Sequence, residues 1–206
     1  MARKPRIAII GGGIGGLTAA QALLRRGLEV SVYEAAPELR EIGAGVALGP
    51  NAMKALRAIG LEQPVREIGW EAQSHALRNW RNARAIMQTP NAVQAERYGA
   101  SPCFAHRADL LDALAAGLPD GTVRLGARCV SVASDDDVAA ARFRDGGEIE
   151  ADVIVGADGI HSAARESLFG EDAPRFTGKI CYRSVIPLEA VPGGAPGTAP
   201  TAITLR

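Results

Sequence analysis

The stretch Arg6-Ile-Ala-Ile-Ile10 passes without a break into Gly11-Gly-Gly-Ile-Gly-Gly16 and then into a stretch of alanines and leucines. No other part of the chain constrains its fold as tightly. The order predicts a strand, a glycine-rich turn and a helix, and the spacing Gly11-x-Gly13-x-x-Gly16 gives each glycine a task. Gly11 permits a tight turn, Gly13 lets the backbone approach a pyrophosphate, and Gly16 lets helix and strand pack closely. The helix N-terminus that follows favours an anion through its unpaired N–H groups and its dipole.

The context supports that reading. Leu17, Leu23 and Leu24 with small alanines between them read as a helix over 17–26, and Gly27 stands where a helix-ending glycine belongs. Residues 29–34 read as a second strand. Glu34, eighteen residues beyond Gly16, falls at its carboxyl end, near the spacing of about 20 at which an acid meets the ribose hydroxyls of a dinucleotide. Strand, turn, helix, strand and acid in this order predict a Rossmann-like α/β domain with a parallel sheet.

Composition narrows the function classes. The 23 basic and 23 acidic residues cancel, so no global field draws in nucleic acid or an anionic membrane. Cys103, Cys129 and Cys181 fit neither a disulfide framework nor a zinc pattern, and His75, His106 and His161 are scattered, so no metal site is expected. No apolar run reaches the 18 or so residues of a membrane span, and no signal-peptide pattern opens the chain. A cytoplasmic protein is the expectation.

Further along, 37–49 reads as a glycine-rich loop, 50–59 as a helix with Pro50 in its first turn and Gly60 at its end, and 74–90 as a hairpin about Arg81-Asn82. Leu110, Leu111, Leu114 and Leu118 lie at helical spacing over 107–118. Four short β-like runs between Thr122 and Ala151 predict a meander, with Asp135 to Asp137 in a solvated turn. Asp152-Val-Ile-Val-Gly156 has the pattern of a strand buried on both faces that rejoins the first sheet. A helix follows near Ser162, which reads as its N-cap. The spacing Gly-Ile-His-Ser-Ala is not a nucleophile elbow, so Asp158, His161 and Ser162 do not read as a hydrolytic triad. Residues 180–187 read as another strand, and 192–200, rich in proline and glycine, as irregular.

Four separated segments together resemble the FAD-dependent aromatic-ring monooxygenases of the salicylate hydroxylase and 3-hydroxybenzoate hydroxylase branch. They are the first glycine turn with Glu34, the stretch from Glu41 to Leu61, the segment His106-Arg-Ala-Asp-Leu110 that opens a helix, and Asp152 to Arg165. The resemblance implies FAD as cofactor, NADH or NADPH as reductant, and dioxygen plus a small phenolic acid such as salicylate as substrates. It implies cofactor contacts at Gly11, Gly13, Ile14, Gly15, Gly16, Glu34, Gly45, Val46, Arg107, Asp158 and Gly159. Cys181-Tyr-Arg-Ser184 resembles the family's Tyr-Arg-Gly step, which makes Arg183 the catalytic candidate near the substrate, with Ser184 in place of the glycine.

The resemblance further implies an FAD-binding domain over 1–178, with insertions around 62–105 and 122–151, and the truncated start of a substrate region over 179–206. Nothing after Arg165 matches the family's later Gly-Asp flavin motif. The chain is therefore expected to be the amino-terminal part of a monooxygenase, without enzyme-like hydroxylation by itself. Two other readings stay open: an NAD-dependent dehydrogenase built on the same turn and Glu34, and a non-catalytic FAD-binding fragment.

Overall fold

The computed structural model describes residues 3–39, 45–79, 81–82 and 84–180, and the backbone of 201–205. The chain divides into two compact units, one from Met1–Glu41 and Leu111–Ile180, the other from Ile42–Leu110 and Cys181–Arg206.

In the first unit β1 (Arg6–Ile10) leads through the glycine turn into α1 (Ile14–Arg25) and β2 (Glu29–Tyr33). Gly27 follows α1 with φ +74°, the left-handed conformation that closes many helices. β1 pairs in parallel with β2 on one side and with β11 (Val153–Gly156) on the other, and β2 pairs in parallel with the two-residue β7 (Val123–Arg124). The sheet order is β11-β1-β2-β7. β1 is buried on both faces, which is why its sequence does not alternate. Ile7 and Ile9 face one side with Ala20 of α1, Val30 and Val32. Ala8 and Ile10 face the other side with Tyr33, Val132, Ala141, Phe143 and Ala164.

The second face is covered by an antiparallel meander of β8 (Cys129–Ser134), β9 (Ala139–Phe143) and β10 (Glu148–Ala151), and by α6 (Ala163–Phe169). Phe143 of the meander stacks on Tyr33, ring centroids 5.1 Å apart. At the β8–β9 turn the Asp135 carboxylate accepts hydrogen bonds from the N–H groups of Asp137 and Val138, and these hold its pKa down. On the α1 side, the buried Gln21 donates to the Leu114 carbonyl at 2.9 Å.

Three expectations need correction. The run at Val123 joins the parallel sheet rather than the meander, because Val123 and Arg124 align with Val32 and Tyr33. The strand after Asp152 does rejoin β1 but is not buried on both faces: Val153 is 45% exposed and, with Leu168 and Phe169, lines an open groove of about 450 Å³. The helix α5 (Arg107–Ala116) ends before Leu118, and Leu110, Leu111 and Leu114 form its buried stripe.

The second unit contains β3 (Gly45–Leu48), α2 (Pro50–Ala58), α3 (Glu62–Ile68), the hairpin β4 (Ser74–Asn79) and β5 (Ala85–Pro90), α4 (Asn91–Tyr98), β6 (Cys103–His106) and β12 (Thr201–Leu205). The hairpin lies where the sequence predicts it, antiparallel about Arg81 and Asn82. The 37–49 stretch is not all loop, since β3 pairs antiparallel with β6. β12 pairs in parallel with β4, a strand that the sequence pattern does not announce. Ile180 has no regular structure, while 181–187 of the expected strand, Trp80 and 192–200 lie outside the described residues.

Glu62 at the start of α3 receives hydrogen bonds from the guanidinium groups of Arg57 and Arg66. These two partners lower its pKa to about 2, against the usual burial effect. A depressed carboxylate stabilises the fold above its unfolded value of 4.5 and loses that contribution as pH falls toward 2. Glu62→Gln should therefore lower the unfolding midpoint by about 2 °C at pH 6, in keeping with a partly buried ion-pair cluster that solvent still screens. The gap between the two proteins should shrink between pH 5 and pH 3 in calorimetric scans.

A candidate dinucleotide site at the carboxyl edge of the sheet

Three neighbouring strands of the first unit end side by side, so the segments that follow them meet. The glycine turn follows β1, Glu34 follows β2, and Ala157 to Gly159 follow β11. This edge is where open α/β sheets bind ligands.

The glycines differ in what requires them. Gly11 has φ +107°, and a Cβ there would stand 2.4 Å from the Ala157 carbonyl oxygen. Gly16 is pressed against the turn itself, its Cβ position 1.9 Å from the Gly11 carbonyl oxygen and 3.4 Å from Ile9 Cγ2. Gly13 and Gly15 meet nothing: a Cβ at either would project into open space. Gly13 is also the N-cap of α1, with no side-chain cap and no acid in the first turn. The N–H groups of Ile14, Gly15 and Gly16 belong to that first turn, whose amides lack intrahelical partners. A backbone donor set beside open space, with no carboxylate among the first-turn residues, fits a diphosphate.

Glu34 is tied to this turn. Its Oε2 accepts from the Gly12 N–H at 2.6 Å and its Oε1 from the Ala36 N–H at 2.7 Å. Each carboxylate oxygen has a second acceptor position, so the acid orders the turn and keeps capacity for hydroxyl groups of a ligand. Gly12, Gly13, Glu34 and Ala36 line a recess of about 60 Å³. That is far below the several hundred Å³ of an enclosing pocket, so within this unit the turn is an open cradle.

Asp158 stands opposite, across Gly11. Its Oδ1 accepts from the Ser162 hydroxyl at 2.5 Å and its Oδ2 from the Ala164 N–H at 3.1 Å, while Gly159 takes φ +81°. Ser162 caps α6 as its sequence position predicts, accepting from the Arg165 N–H at 2.9 Å. Gly11, Gly13, Ile14, Gly15, Gly16, Glu34, Asp158 and Gly159 thus lie within the first unit.

Gly45, Val46 and Arg107 lie in the second unit. There Gly45 pairs with His106 and Val46 with Ala105, which sets Gly45 beside the residue that precedes Arg107, the first residue of α5. Arg183 lies outside the described residues. Sequence reasoning missed Gly12 as a donor to Glu34, and it missed the link between Ser162 and Asp158. A signal for the latter was present, an acid four residues before an N-cap serine. Among the described residues no helix is long and apolar enough to cross a membrane.

The arrangement defines a dinucleotide-binding α/β unit. Residues 4–183 match the family model described as an FAD binding domain, and the chain belongs to that family. It is 38% identical over 197 residues to 6-hydroxynicotinate 3-monooxygenase of Bordetella bronchiseptica, covering 95% of this chain and 51% of that protein. It is 37% identical over 199 residues to salicylate hydroxylase of Pseudomonas putida, covering 90% of this chain and 44% of that protein. Among solved structures, Klebsiella pneumoniae HpxO complexed with FAD and uric acid superposes with a TM-score of 0.72 at 33% identity, over 79% of this chain and 41% of that one. The chain spans about half the length of the relatives it matches. The resemblance read from the four sequence segments is thereby borne out, as is the Rossmann-like α/β class.

Proposed function

We propose that the first unit holds the diphosphate and adenosine end of FAD on its glycine turn, as part of a flavin-dependent monooxygenase that hydroxylates a small aromatic ring bearing a hydroxyl group. The observation that carries this is the open space at Gly13 beside the uncapped start of α1, framed by Glu34 and by the Asp158–Gly159 turn. Membership of the FAD-binding-domain family and relatives that act as monooxygenases support the choice of flavin over NAD.

When bound, the flavin supplies the redox chemistry with dioxygen that side chains lack. The chain's part is to bind and orient. The first turn of α1 meets the phosphates, Gly13 leaves them room, and Glu34 accepts hydrogen bonds from the ribose hydroxyls while holding Gly12. The family resemblance also suggests Gly45, Val46 and Arg107 as FAD contacts and Arg183 as a residue near the substrate. NADH or NADPH is the assigned reductant, with a phenolic or hydroxypyridine carboxylic acid as the substrate class, in keeping with the names of the two relatives.

Equilibrium titration with FAD and with NAD tests the reading. FAD should bind saturably with a shift in its visible absorption, and NAD should bind much more weakly. Tight NAD binding without FAD binding would favour a dehydrogenase. Glu34→Ala should weaken FAD binding by about tenfold or more, the equivalent of a charge-assisted hydrogen bond of about 1.5–3 kcal/mol. An unchanged FAD affinity in the folded variant would remove Glu34 from the site.

A further inference from the structure

Two long stretches of the chain carry several cations and no acid. Residues 1–28 hold Arg3, Lys4, Arg6, Arg25 and Arg26, and residues 72–95 hold Arg78, Arg81 and Arg84. The first set gathers at the amino edge of the sheet of the first unit, where β1 starts and α1 ends, and Arg3 and Arg6 are tied there to Asp152. Open α/β sheets bind ligands at the opposite edge. The second set stands on one turn, the tip of the β4–β5 hairpin.

That tip keeps its shape through side chains other than its arginines. Asn79 Oδ1 accepts from the Arg81 N–H at 2.9 Å and Asn82 Oδ1 from the Arg84 N–H at 3.1 Å, while the Asn79 N–H donates to the Arg84 carbonyl at 2.9 Å. Both amide oxygens are engaged within the turn, so what its side chains offer a ligand is donors: two amide NH2 groups and three guanidiniums of five N–H each. Arg81 and Arg84 are exposed and Arg78 is half-buried. Arg78 pairs across the hairpin with Ala85, the neighbour of Arg84, so two of the guanidiniums spring from adjacent strands about 5 Å apart. Like charges set this close oppose folding, and a ligand with more than one negative charge relieves them through charge-assisted hydrogen bonds.

Glu34 narrows the choice of ligand. A carboxylate at the end of β2 suits an adenosine with a bare ribose and repels one with a 2′-phosphate. A 2′-phosphorylated dinucleotide therefore needs its cations away from the glycine turn. Three arginines on one turn of a chain with no net charge match a small multivalent anion rather than a nucleic acid, which takes a broad basic surface. We propose that Arg78, Arg81 and Arg84 receive the phosphates of NADPH, the 2′-phosphate among them, and so make NADPH rather than NADH the reductant that this chain selects. The inference rests on the flavin monooxygenase reading, which calls for a nicotinamide reductant without choosing between the two.

The experiment titrates residues 1–206 with NADP+ and with NAD+, each with and without saturating FAD. The oxidised forms carry the same phosphates and do not reduce the flavin. Wild type is compared with the double variant Arg81→Ala/Arg84→Ala and with Arg142→Ala, which removes an exposed arginine on β9 that pairs with Glu148. Affinities come from the titration curves and the site from amide chemical shifts. NADP+ should bind wild type and Arg142→Ala about tenfold or more tighter than NAD+ does, and the double variant should lose that preference. Raising salt from about 50 to 200 mM should weaken NADP+ binding severalfold in wild type and little in the double variant. The amides of Asn79, Arg81, Asn82 and Arg84 should shift with NADP+.

Equal affinity of wild type for NADP+ and NAD+ would overturn the inference. So would a preference for NADP+ that survives in the double variant, or NADP+ binding that shifts Gly11 to Gly16 and leaves the hairpin tip unmoved. If wild type takes up no FAD, the proposed function fails instead. The titrations without FAD then decide separately whether the hairpin selects the 2′-phosphate.

Discussion

Gly13→Val should abolish FAD binding and leave the fold in place. A side chain at Gly13 meets no protein atom within 4 Å, and its backbone, φ −74° and ψ −176°, is open to any residue. The structural cost is that of a poor helix N-cap, about 1 kcal/mol, or about 2–4 °C in the unfolding midpoint. The same branched side chain would occupy the space assigned to the diphosphate and keep it from the N–H groups of α1. A loss of at least a hundredfold in affinity, about 2.7 kcal/mol or more, is expected with an unchanged circular dichroism spectrum. A folded Gly13→Val protein that takes up FAD as wild type does would show that the open space serves no ligand.

Gly16→Ala should do the reverse and damage the fold first. Even a methyl group would sit 1.9 Å from the Gly11 carbonyl oxygen and 3.0 Å from its carbon, both backbone atoms. Gly11 cannot yield easily, because the Ala157 carbonyl lies behind it. Relief requires α1 to back away from β1, which opens the cluster that Ala20 shares with Ile7, Ile9, Val30 and Val32. Overpacking of this kind costs about 3 kcal/mol or more when the neighbour is immobile, so the midpoint should fall by about 6–12 °C. Differential scanning calorimetry of the two variants separates the glycine that makes room for a ligand from the glycine that makes room for the helix.

The parts of this site legible in the sequence were those set by local order. A β1 that is apolar from Ile7 to Ile10, a glycine turn, a leucine-bearing helix and an acid at the end of β2 lie within residues 6–34, and the fold places them as their pattern predicts. Pairing over long separations was harder to read. β3 was hidden in a glycine-rich stretch because its partner β6 lies far along the chain, with Gly45 opposite His106 and Leu48 opposite Cys103. β7 is only two residues long, so nothing in its pattern distinguished the parallel sheet from the meander that follows. The short helices α3 and α4 have few buried residues, Val65 and Asn91 respectively, and so show no apolar stripe.

The sequence set Glu34 and Asp158 just beyond strand ends, as the fold does, but not their bonds. Glu34 turns back on the N–H of Gly12, and Asp158 turns forward into the start of α6. Both acids lie at strand ends, where the pattern of residues records position and leaves side-chain direction open. The spacing of Asp158 to Ser162 matches a side chain reaching one turn ahead, and only the capping geometry of α6 shows that it does so.

FAD held on the carboxyl edge of β1, β2 and β11 should be visible by amide chemical-shift mapping during an FAD titration. The largest changes should fall on Gly11 to Gly16, on Gly12 and Ala36 beside Glu34, and on Ala157 to Gly159, and they should be absent in Gly13→Val. Saturable FAD binding that leaves those amides unmoved and shifts residues elsewhere would contradict the account.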